Sequence, residues 1–198
     1  MIKTGIMGGT FNPIHNGHLI IALYAKEQFD LDEIWFMVSG NPPHKQKSNV
    51  CDAQIRYKMT NLAIEDNKDF IPCDYEIRKK GRSYTVDTLK YLNKAYTDRK
   101  FYFIVGQDSL HDFPKWYKPE EILSLATVLV FPRNSASLED EAERIRGLYG
   151  GDIQIISAPL IGFSSTQIRQ RVSEGKSIRY MVPDIVCEYI KKNNLYID

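Results

Sequence analysis

The sequence predicts an α/β protein with a Rossmann-like, doubly wound parallel sheet and a small C-terminal helical cap. Two observations carry this prediction: continuous apolar runs of strand length, and amphipathic stretches of helical length that alternate with them. The predicted strands are Thr4 to Met7, Ile34 to Val38, Phe101 to Val105, Thr127 to Phe131 and Ile153 to Ile156. The predicted helices are His18 to Phe29, Ala53 to Ile64, Tyr84 to Tyr96 and Ser137 to Tyr149.

The first predicted strand leads into a glycine turn and a helix that has two histidines at its start. Free backbone N–H groups and the helix dipole make such a junction an anion site. Gly8 and Gly9 allow close backbone approach, Thr10 supplies a hydroxyl, and His15 and His18 supply ring donors. The segment matches neither a Walker A loop nor the G-x-G-x-x-G fingerprint. We interpret it as a site for nucleotide phosphates.

The residues alone leave other interpretations of His15 and His18 open. They can be packed structural side chains, or two ligands of a zinc site. No third zinc ligand is evident in the sequence, and H-x-x-H by itself is a weak signal. We therefore favour phosphate and predict no metal held by the protein.

The loops that follow the predicted strands share a composition of glycine, proline, small polar and cationic residues. They are Gly8 to His18, Ser39 to Lys45, Gly106 to Ser109, Pro132-Arg133 and Pro159 to Thr166. In an open parallel sheet these loops meet at the carboxyl edge, where ligands bind near the reversal of strand order. The agreement among five loops predicts that the functional site lies at this edge.

The C-terminal part predicts two helices instead of further strands. Ser164-Ser165-Thr166 precedes Gln167 to Val172 as an N-capped helix, and Arg169 lies about one turn into it. Pro183 fits the first turn of a second helix. Hydroxyls at the start of the first helix, together with Arg169, form a second anion site, although a capped helix with a surface arginine explains them too. We predict one domain over residues 1–198, with 164–198 as a helical subregion.

Bulk properties narrow the class of protein. A chain of 198 residues that is 43% hydrophobic and 26% charged is typical of a globular enzyme with one core. A net charge of +1 gives no reason to expect nucleic acid as a partner, and the short apolar start is no signal peptide or membrane span. Cys51, Cys73 and Cys187 lack CxxC spacing, which favours reduced thiols and a cytoplasmic location.

Several of these segments resemble the nucleotidyltransferase superfamily with its H-x-G-H signature, and within it the bacterial nicotinate-nucleotide adenylyltransferase family. The resemblance covers almost the whole chain. Its motifs are Gly9-Thr10-Phe11-Asn12-Pro13-Ile14-His15-Asn16-Gly17-His18, Glu33-Ile34-Trp35-Phe36-Met37, Pro42-Pro43-His44-Lys45, Ser83-Tyr84-Thr85-Val86-Asp87-Thr88-Leu89, Gly106-Gln107-Asp108-Ser109, Lys115-Trp116-Tyr117 and Ser164-Ser165-Thr166-Gln167-Ile168-Arg169. Many relatives carry Asp at the position of Asn12 and an aliphatic residue at that of Phe163.

The resemblance implies a transfer of the adenylyl group of ATP to nicotinate mononucleotide, which gives deamido-NAD and pyrophosphate. The catalytic residues would be His15, His18 and Arg169. ATP would be bound by Gly8, Gly9, Thr10, Phe11, Gly106, Asp108, Ser164, Ser165 and Thr166. Nicotinate mononucleotide would be bound by His44, Lys45, Tyr84, Thr85, Trp116 and Arg133. Mg²⁺ would travel with ATP, since no carboxylate cluster is apparent.

Within this scheme Trp116 would stack on the pyridinium ring, and backbone amides near Tyr84 and Thr85 would receive the nicotinate carboxylate. From the residues alone, Trp116 can instead be packing, Asp108 a helix cap, and the loop with Lys45 simply solvated. The sequence does not decide whether His44 or Lys45 makes the main contact with the phosphate.

Rival functions remain open at this point. One rival is a related transferase whose acceptor is pantetheine phosphate or nicotinamide mononucleotide, or one that uses CTP with a polyol phosphate. The other rival is a nucleotide sensor that binds its ligand without catalysis. A class I aminoacyl-tRNA synthetase fragment is disfavoured by the absence of a Lys-Met-Ser-Lys-Ser match. Self-association into a homo-oligomer is left open, and no membrane partner is expected.

Overall fold

A computed structural model describes residues 1–40, 50–79, 81, 83–133 and 138–197. The strands within these ranges are β1 (Ile2–Gly9), β2 (Glu33–Val38), β3 (Phe70–Cys73), β4 (Arg99–Gly106), β5 (Thr127–Phe131) and β6 (Ile153–Ile155). The helices are α1 (Asn16–Gln28), α2 (Ala53–Ile64), α3 (Tyr75–Arg78), α4 (Thr85–Ala95), α5 (Gln107–His111), α6 (Pro119–Leu125), α7 (Glu139–Tyr149), α8 (Ser165–Ser173) and α9 (Asp184–Lys192), with a 3₁₀ turn over Phe113–Lys115.

The six strands form one parallel sheet in the order β3-β2-β1-β4-β5-β6. The chain winds outward from β1 to β3, returns to the centre at β4, and then winds the other way to β6. The strand order therefore reverses between β1 and β4, and their carboxyl ends flank the crevice where such sheets bind ligands. The predicted fold class is confirmed.

Two apolar clusters lie on opposite faces of the sheet, because successive side chains of a strand point to opposite sides. Ile6 packs with α4, α6 and α7 on one face, whereas Met7 packs with α1, α2 and α9 on the other. In β2 the same alternation separates Trp35 from Phe36. Both faces are thus covered by helices, as the continuous apolar strands predicted.

The first strand is longer than the sequence predicts. Gly8 and Gly9 belong to the carboxyl end of β1 and not to a turn, because this central strand is paired on both sides and its ladder with β2 continues to Gly9 opposite Val38. Strand β3 and helices α3, α5 and α6 were not predicted. They contain only four to seven residues, which is too few to establish a period.

The C-terminal part forms the two predicted helices. Ser164 caps α8: its Oγ accepts from the Gln167 N–H at 3.4 Å, and Gln167 Oε1 accepts from the Ser164 N–H at 2.8 Å. Pro183 is the N-cap of α9, one position earlier than predicted. Helix α9 buries Val186 and Ile190 in the cluster that also holds α1 and α2. Among the described residues, no helix combines the length and the apolar character that crossing a bilayer requires.

Candidate active site

The loop from Thr10 to His15 connects β1 with α1 and lies beside the point where the strand order reverses. Phe11 adopts a left-handed backbone with φ of 47°, and its ring is buried beneath Gly9. A Cβ on Gly9 would lie 2.8 Å from that ring, so glycine is required there. Because only 2% of Phe11 is exposed, its ring offers a nucleotide almost no surface.

The two histidines form a stacked pair at the start of α1. His15 is the N-cap, and its ring centroid lies 3.7 Å from that of His18 with 23° between the planes. The His15 N–H donates to His18 Nδ1 at 3.2 Å. A ring nitrogen that accepts carries no proton, so neutral His18 holds its proton on Nε2. A Cβ on Gly17 would lie 2.8 Å from Ile161 Cγ2 and 3.0 Å from His15 Nδ1, which accounts for the glycine between them.

His15 is neutral at physiological pH. Only 7% of it is exposed, and burial, helped by the positive charge of Arg133, lowers its pKa from 6.5 to about 4. Within the described part of the chain, its Nδ1 has no hydrogen-bond partner. The ring packs edge-on against Phe163, with centroids 5.4 Å apart. His15 therefore offers a neutral, buried ring at the helix start.

We expect this burial to make the folded chain sensitive to acid. Unfolded His15 takes up a proton near its ordinary pKa of 6.5, whereas folded His15 does so near 4. The free energy of unfolding therefore falls as the pH drops through this interval, by up to about 3 kcal/mol. Urea unfolding at pH 7 and pH 4.5 should show a smaller acid loss in His15→Asn than in the native chain. His111→Asn, at an exposed histidine, should lose as much free energy of unfolding at pH 4.5 as the native chain does. An equal loss in the native chain and in both variants would show that His15 is not the source of the acid sensitivity.

Helix α8 places the second predicted anion segment directly against the first loop. Ser165 Oγ donates to the Pro13 carbonyl at 2.9 Å, and Arg169 Nη1 donates to the Asn12 carbonyl at 2.9 Å. Arg169 Nη2 also lies 3.4 Å from Thr166 Oγ1. The predicted juxtaposition of two segments more than 150 residues apart is thus present. The Ser164 hydroxyl is engaged in the helix cap.

Gly106, Asp108 and Arg133 meet at the ends of β4 and β5. Arg133 Nε lies 3.3 Å from Asp108 Oδ2, and the Arg133 N–H donates to Gln107 Oε1 at 3.0 Å. A Cβ on Gly106 would approach Arg133 Nε to 3.2 Å. The family resemblance implies that Asp108 binds ATP and that Arg133 binds the acceptor. The structure places the two side chains in contact, and their separate roles remain predictions.

The remaining predicted acceptor residues cluster around the start of α4. Tyr84 is its N-cap and Thr85 its first residue, so the first-turn N–H groups lie here. The Tyr84 ring lies 4.9 Å from Tyr117, next to Trp116. Trp116 is half-buried and packs on Phe113 and on Phe103. Phe103 in turn faces Gly8 of β1, so this cluster adjoins the first loop. His44 and Lys45 lie outside the described residues.

A buried arginine that the sequence motifs did not indicate lies against the first loop. Arg56 in α2 donates to the carbonyls of Thr10 at 2.6 Å, of Ser39 at 2.8 Å and of Cys51 at 3.0 Å. A signal for it existed: Arg56 shares the buried face of α2 with Met59, Thr60 and Ala63. A charged residue at an apolar-face position of a helix needs polar partners inside the protein.

A metal site gains no support from the described ranges. They contain no group of three or more His, Cys, Asp or Glu side chains that could hold an ion. The zinc interpretation of His15 and His18 therefore finds no third ligand there. The donors around the first loop are imidazole, hydroxyl, guanidinium and backbone N–H groups, which suit phosphate oxygens.

Comparison with known proteins places this site in a family. Residues 6–171 match the cytidylyltransferase-like family model. Probable nicotinate-nucleotide adenylyltransferases of Clostridium kluyveri and Caldicellulosiruptor bescii are 44% and 45% identical to the chain. The first alignment covers 99% of this chain and all of the relative, and the second covers 98% and 99%.

Solved structures have the same fold. Plasmodium falciparum nicotinic acid mononucleotide adenylyltransferase, complexed with APC or with NaAD, superposes with a TM-score of 0.81 at 20% identity over 99% of this chain and 98% of its own. A putative nicotinate-nucleotide adenylyltransferase of Vibrio parahaemolyticus gives 0.70 at 24% identity, over 99% and 96%. With full-length relatives above 40% identity, the chain belongs to the nicotinate-nucleotide adenylyltransferases, a branch of the cytidylyltransferase-like family.

Proposed function

We propose that this protein transfers the adenylyl group of ATP to nicotinate mononucleotide and so makes deamido-NAD and pyrophosphate. One observation carries the proposal beyond family membership: the start of α8 docks on the first loop through Ser165 and Arg169. Two anion-binding segments thereby face one crevice at the carboxyl ends of β1 and β4. A triphosphate is the kind of ligand that needs both.

The reaction is an in-line displacement at the α-phosphorus of ATP. A phosphate oxygen of the mononucleotide forms the new P–O bond, the bond from the α-phosphorus to the bridging oxygen breaks, and pyrophosphate leaves with that electron pair. The nucleophile is already an anion, so no general base is required. Catalysis then rests on positioning the two substrates and on stabilising negative charge.

His18 supplies the donor closest to the reacting phosphorus. Its Nδ1 accepts from the His15 N–H, so the neutral ring carries its proton on Nε2, and this N–H donates to an α-phosphate oxygen when ATP is bound. Neutral His15 stacks on His18 and contributes to binding the same phosphate. The β- and γ-phosphates are bound by Thr10, Thr166 and Arg169. Asp108 contacts the adenosine part of ATP.

Mg²⁺ enters with ATP. The described side chains at the crevice donate hydrogen bonds and offer no carboxylate cage, which fits a cation held chiefly by the phosphates. When bound, the ion neutralises part of the triphosphate charge.

Three cysteines with free thiols support a cytoplasmic location.

The acceptor binds between the start of α4 and Trp116. The nicotinate carboxylate receives first-turn N–H groups of α4 near Thr85, where the helix dipole favours an anion. The pyridinium ring stacks on Trp116, and Arg133, His44 and Lys45 supply positive charge for the phosphate. A carboxamide carries no charge for the helix start, so the acid is preferred over the amide.

The decisive experiment measures pyrophosphate release from ATP with different acceptors. We expect release with nicotinate mononucleotide, slower release with nicotinamide mononucleotide, and none with pantetheine phosphate or with CTP and a polyol phosphate. ATP binding without pyrophosphate release would support a nucleotide sensor instead and would contradict the proposal.

Replacing Trp116 tests the acceptor site separately. Trp116→Ala removes the ring face, and a cation–π contact of about 0.5–2 kcal/mol corresponds to a rise in the KM for nicotinate mononucleotide of roughly 3- to 30-fold. Trp116→Phe should keep part of the affinity. The KM for ATP in the same variants is the internal control and should stay unchanged. A rise confined to ATP would place Trp116 on the other substrate.

A further inference from the structure

Side chains from other elements donate hydrogen bonds to the carbonyl oxygens of the first loop. The Thr10 carbonyl accepts from Arg56 at 2.6 Å, the Asn12 carbonyl from Arg169 at 2.9 Å, and the Pro13 carbonyl from Ser165 at 2.9 Å. A carbonyl that faces a phosphate repels it, whereas a backbone N–H attracts it. Fixing these carbonyls on side-chain donors therefore fixes which way the intervening peptide groups point.

Arg56 is the most deeply buried of these donors, with 1% of the residue exposed. Its guanidinium also bonds the carbonyls of Ser39 at 2.8 Å, Gly40 at 3.3 Å and Cys51 at 3.0 Å. It thereby ties the end of β1 to the end of β2. Burial lowers its pKa, yet a guanidinium remains charged in proteins. Among the described residues no carboxylate pairs with it within 4 Å. Its charge is offset by carbonyl dipoles and by the more distant carboxylate of Asp52.

The C-terminus bonds the same loop through a side chain. Tyr196 donates its hydroxyl to Asn12 Oδ1 at 2.9 Å, and the Cys51 N–H donates to the same oxygen at 3.2 Å. Burial raises the pKa of Tyr196 far above its ordinary value, so the phenol stays a donor. Asn12 is itself buried. Arg56 also donates to the Cys51 carbonyl, and Tyr196, Asn12, Cys51 and Arg56 thus form one hydrogen-bonded network beside the loop.

We propose that Arg56 and Tyr196 are positioning residues for ATP. They touch no substrate; they hold Thr10 and Asn12 so that the loop presents its N–H groups to the triphosphate. The positive charge of Arg56, which Asp52 offsets only from beyond 4 Å, adds an attractive field for the same anion. This inference rests on the proposed function, because it assigns ATP to the first loop.

The test compares Tyr196→Phe with Tyr180→Phe, a matched change at a tyrosine that is 79% exposed. Calorimetry on the folded chain gives the Kd of ATP and of nicotinate mononucleotide for each variant, and thermal melting checks the fold. Loss of one positioning hydrogen bond should raise the Kd of ATP about fivefold in Tyr196→Phe. The Kd of the mononucleotide and both values in Tyr180→Phe should not change.

Arg56→Lys extends the test, since lysine keeps a charge but cannot bond four carbonyls from one planar group. We expect a rise of about tenfold or more in the Kd of ATP. A double-mutant cycle separates a shared network from independent effects: Tyr196→Phe should add nothing to Asn12→Ala, because the hydroxyl acts through the Asn12 amide.

Equal losses of affinity for both substrates, or only a lower melting temperature with an unchanged Kd of ATP, would overturn the inference. So would additive effects of Tyr196→Phe and Asn12→Ala. A native chain that binds ATP but releases no pyrophosphate would defeat the proposed function alone, since the series of ATP affinities still decides the positioning role.

Discussion

Replacing His18 by alanine is expected to reduce the turnover of adenylyl transfer by about 10²–10³-fold, the effect of removing one donor aimed at developing charge. The structure gives the reason. His18 Nδ1 accepts the His15 N–H at 3.2 Å, so the neutral ring carries its proton on Nε2, and we expect this N–H to donate to the α-phosphate. Negative charge on that phosphate grows in the transition state, so kcat should fall more than the KM for ATP rises. Initial rates of pyrophosphate release measure both.

His111→Ala is the control for this change, because His111 is an exposed histidine in α5 on the helix surface. Its rate should equal that of the native chain. Thermal melting of His18→Ala should show a folded protein, since His18 is only partly buried. A folded His18→Ala protein with near-native turnover would remove His18 from the mechanism.

The parts of the fold that the sequence predicted are those with a strong local pattern. Five of the six strands in the described ranges follow from continuous apolar runs, and the long helices α1, α2, α4 and α7 follow from amphipathic stretches. The docking of α8 on the first loop was also foreseen, because loops after parallel strands converge at one edge of the sheet. Ser165 and Arg169 therefore lie beside Pro13 and Asn12 as the two anion motifs implied.

What could not be predicted depends on contacts between distant segments. Strand β3 exists because β2 pairs with it from Ile34 to Met37, not because four residues define a strand. The contact of Arg133 with Asp108 requires β4 and β5 to be neighbours in register. The buried position of Arg56 was visible as a charge on an apolar helix face, but its four carbonyl partners come from loops around positions 10, 39, 40 and 51.

The tautomer of His18 shows the same limit at the level of one atom. H-x-x-H spacing places two rings on one side of a helix start, yet it fits a metal pair and a phosphate pair equally well. The orientation of the two rings is given instead by the hydrogen bond from the His15 N–H to His18 Nδ1 and by the 3.7 Å stacking of the rings. Both follow from the extended backbone of His15 as N-cap, which no pattern of residue types specifies.

Arg169→Lys is expected to lower kcat/KM for ATP by roughly 10- to 150-fold, the range for a charge-assisted hydrogen bond of about 1.5–3 kcal/mol. We expect Arg169 to perform two tasks with one planar group. Nη1 donates to the Asn12 carbonyl at 2.9 Å, and Nη2 donates to Thr166 Oγ1 at 3.4 Å. A guanidinium has five N–H donors, so the same group can also donate to phosphates at the start of α8. Lysine keeps the charge but has no fork, so it can hold the loop or the phosphate and not both. Initial rates at varied ATP measure the loss.

Arg171→Lys supplies the matched control, since Arg171 lies two residues along the same helix and donates its Nε to the Ser177 carbonyl at 2.9 Å. The same chemical change there should leave kcat/KM within about twofold, as expected of a surface substitution. If Arg169→Lys and Arg171→Lys behaved alike, the positive charge of α8 and not the geometry of the guanidinium would bind the triphosphate. Because the Asn12 carbonyl depends on the same fork, the loss in Arg169→Lys should be accompanied by a lower melting temperature, whereas a pure substrate contact would leave that temperature unchanged.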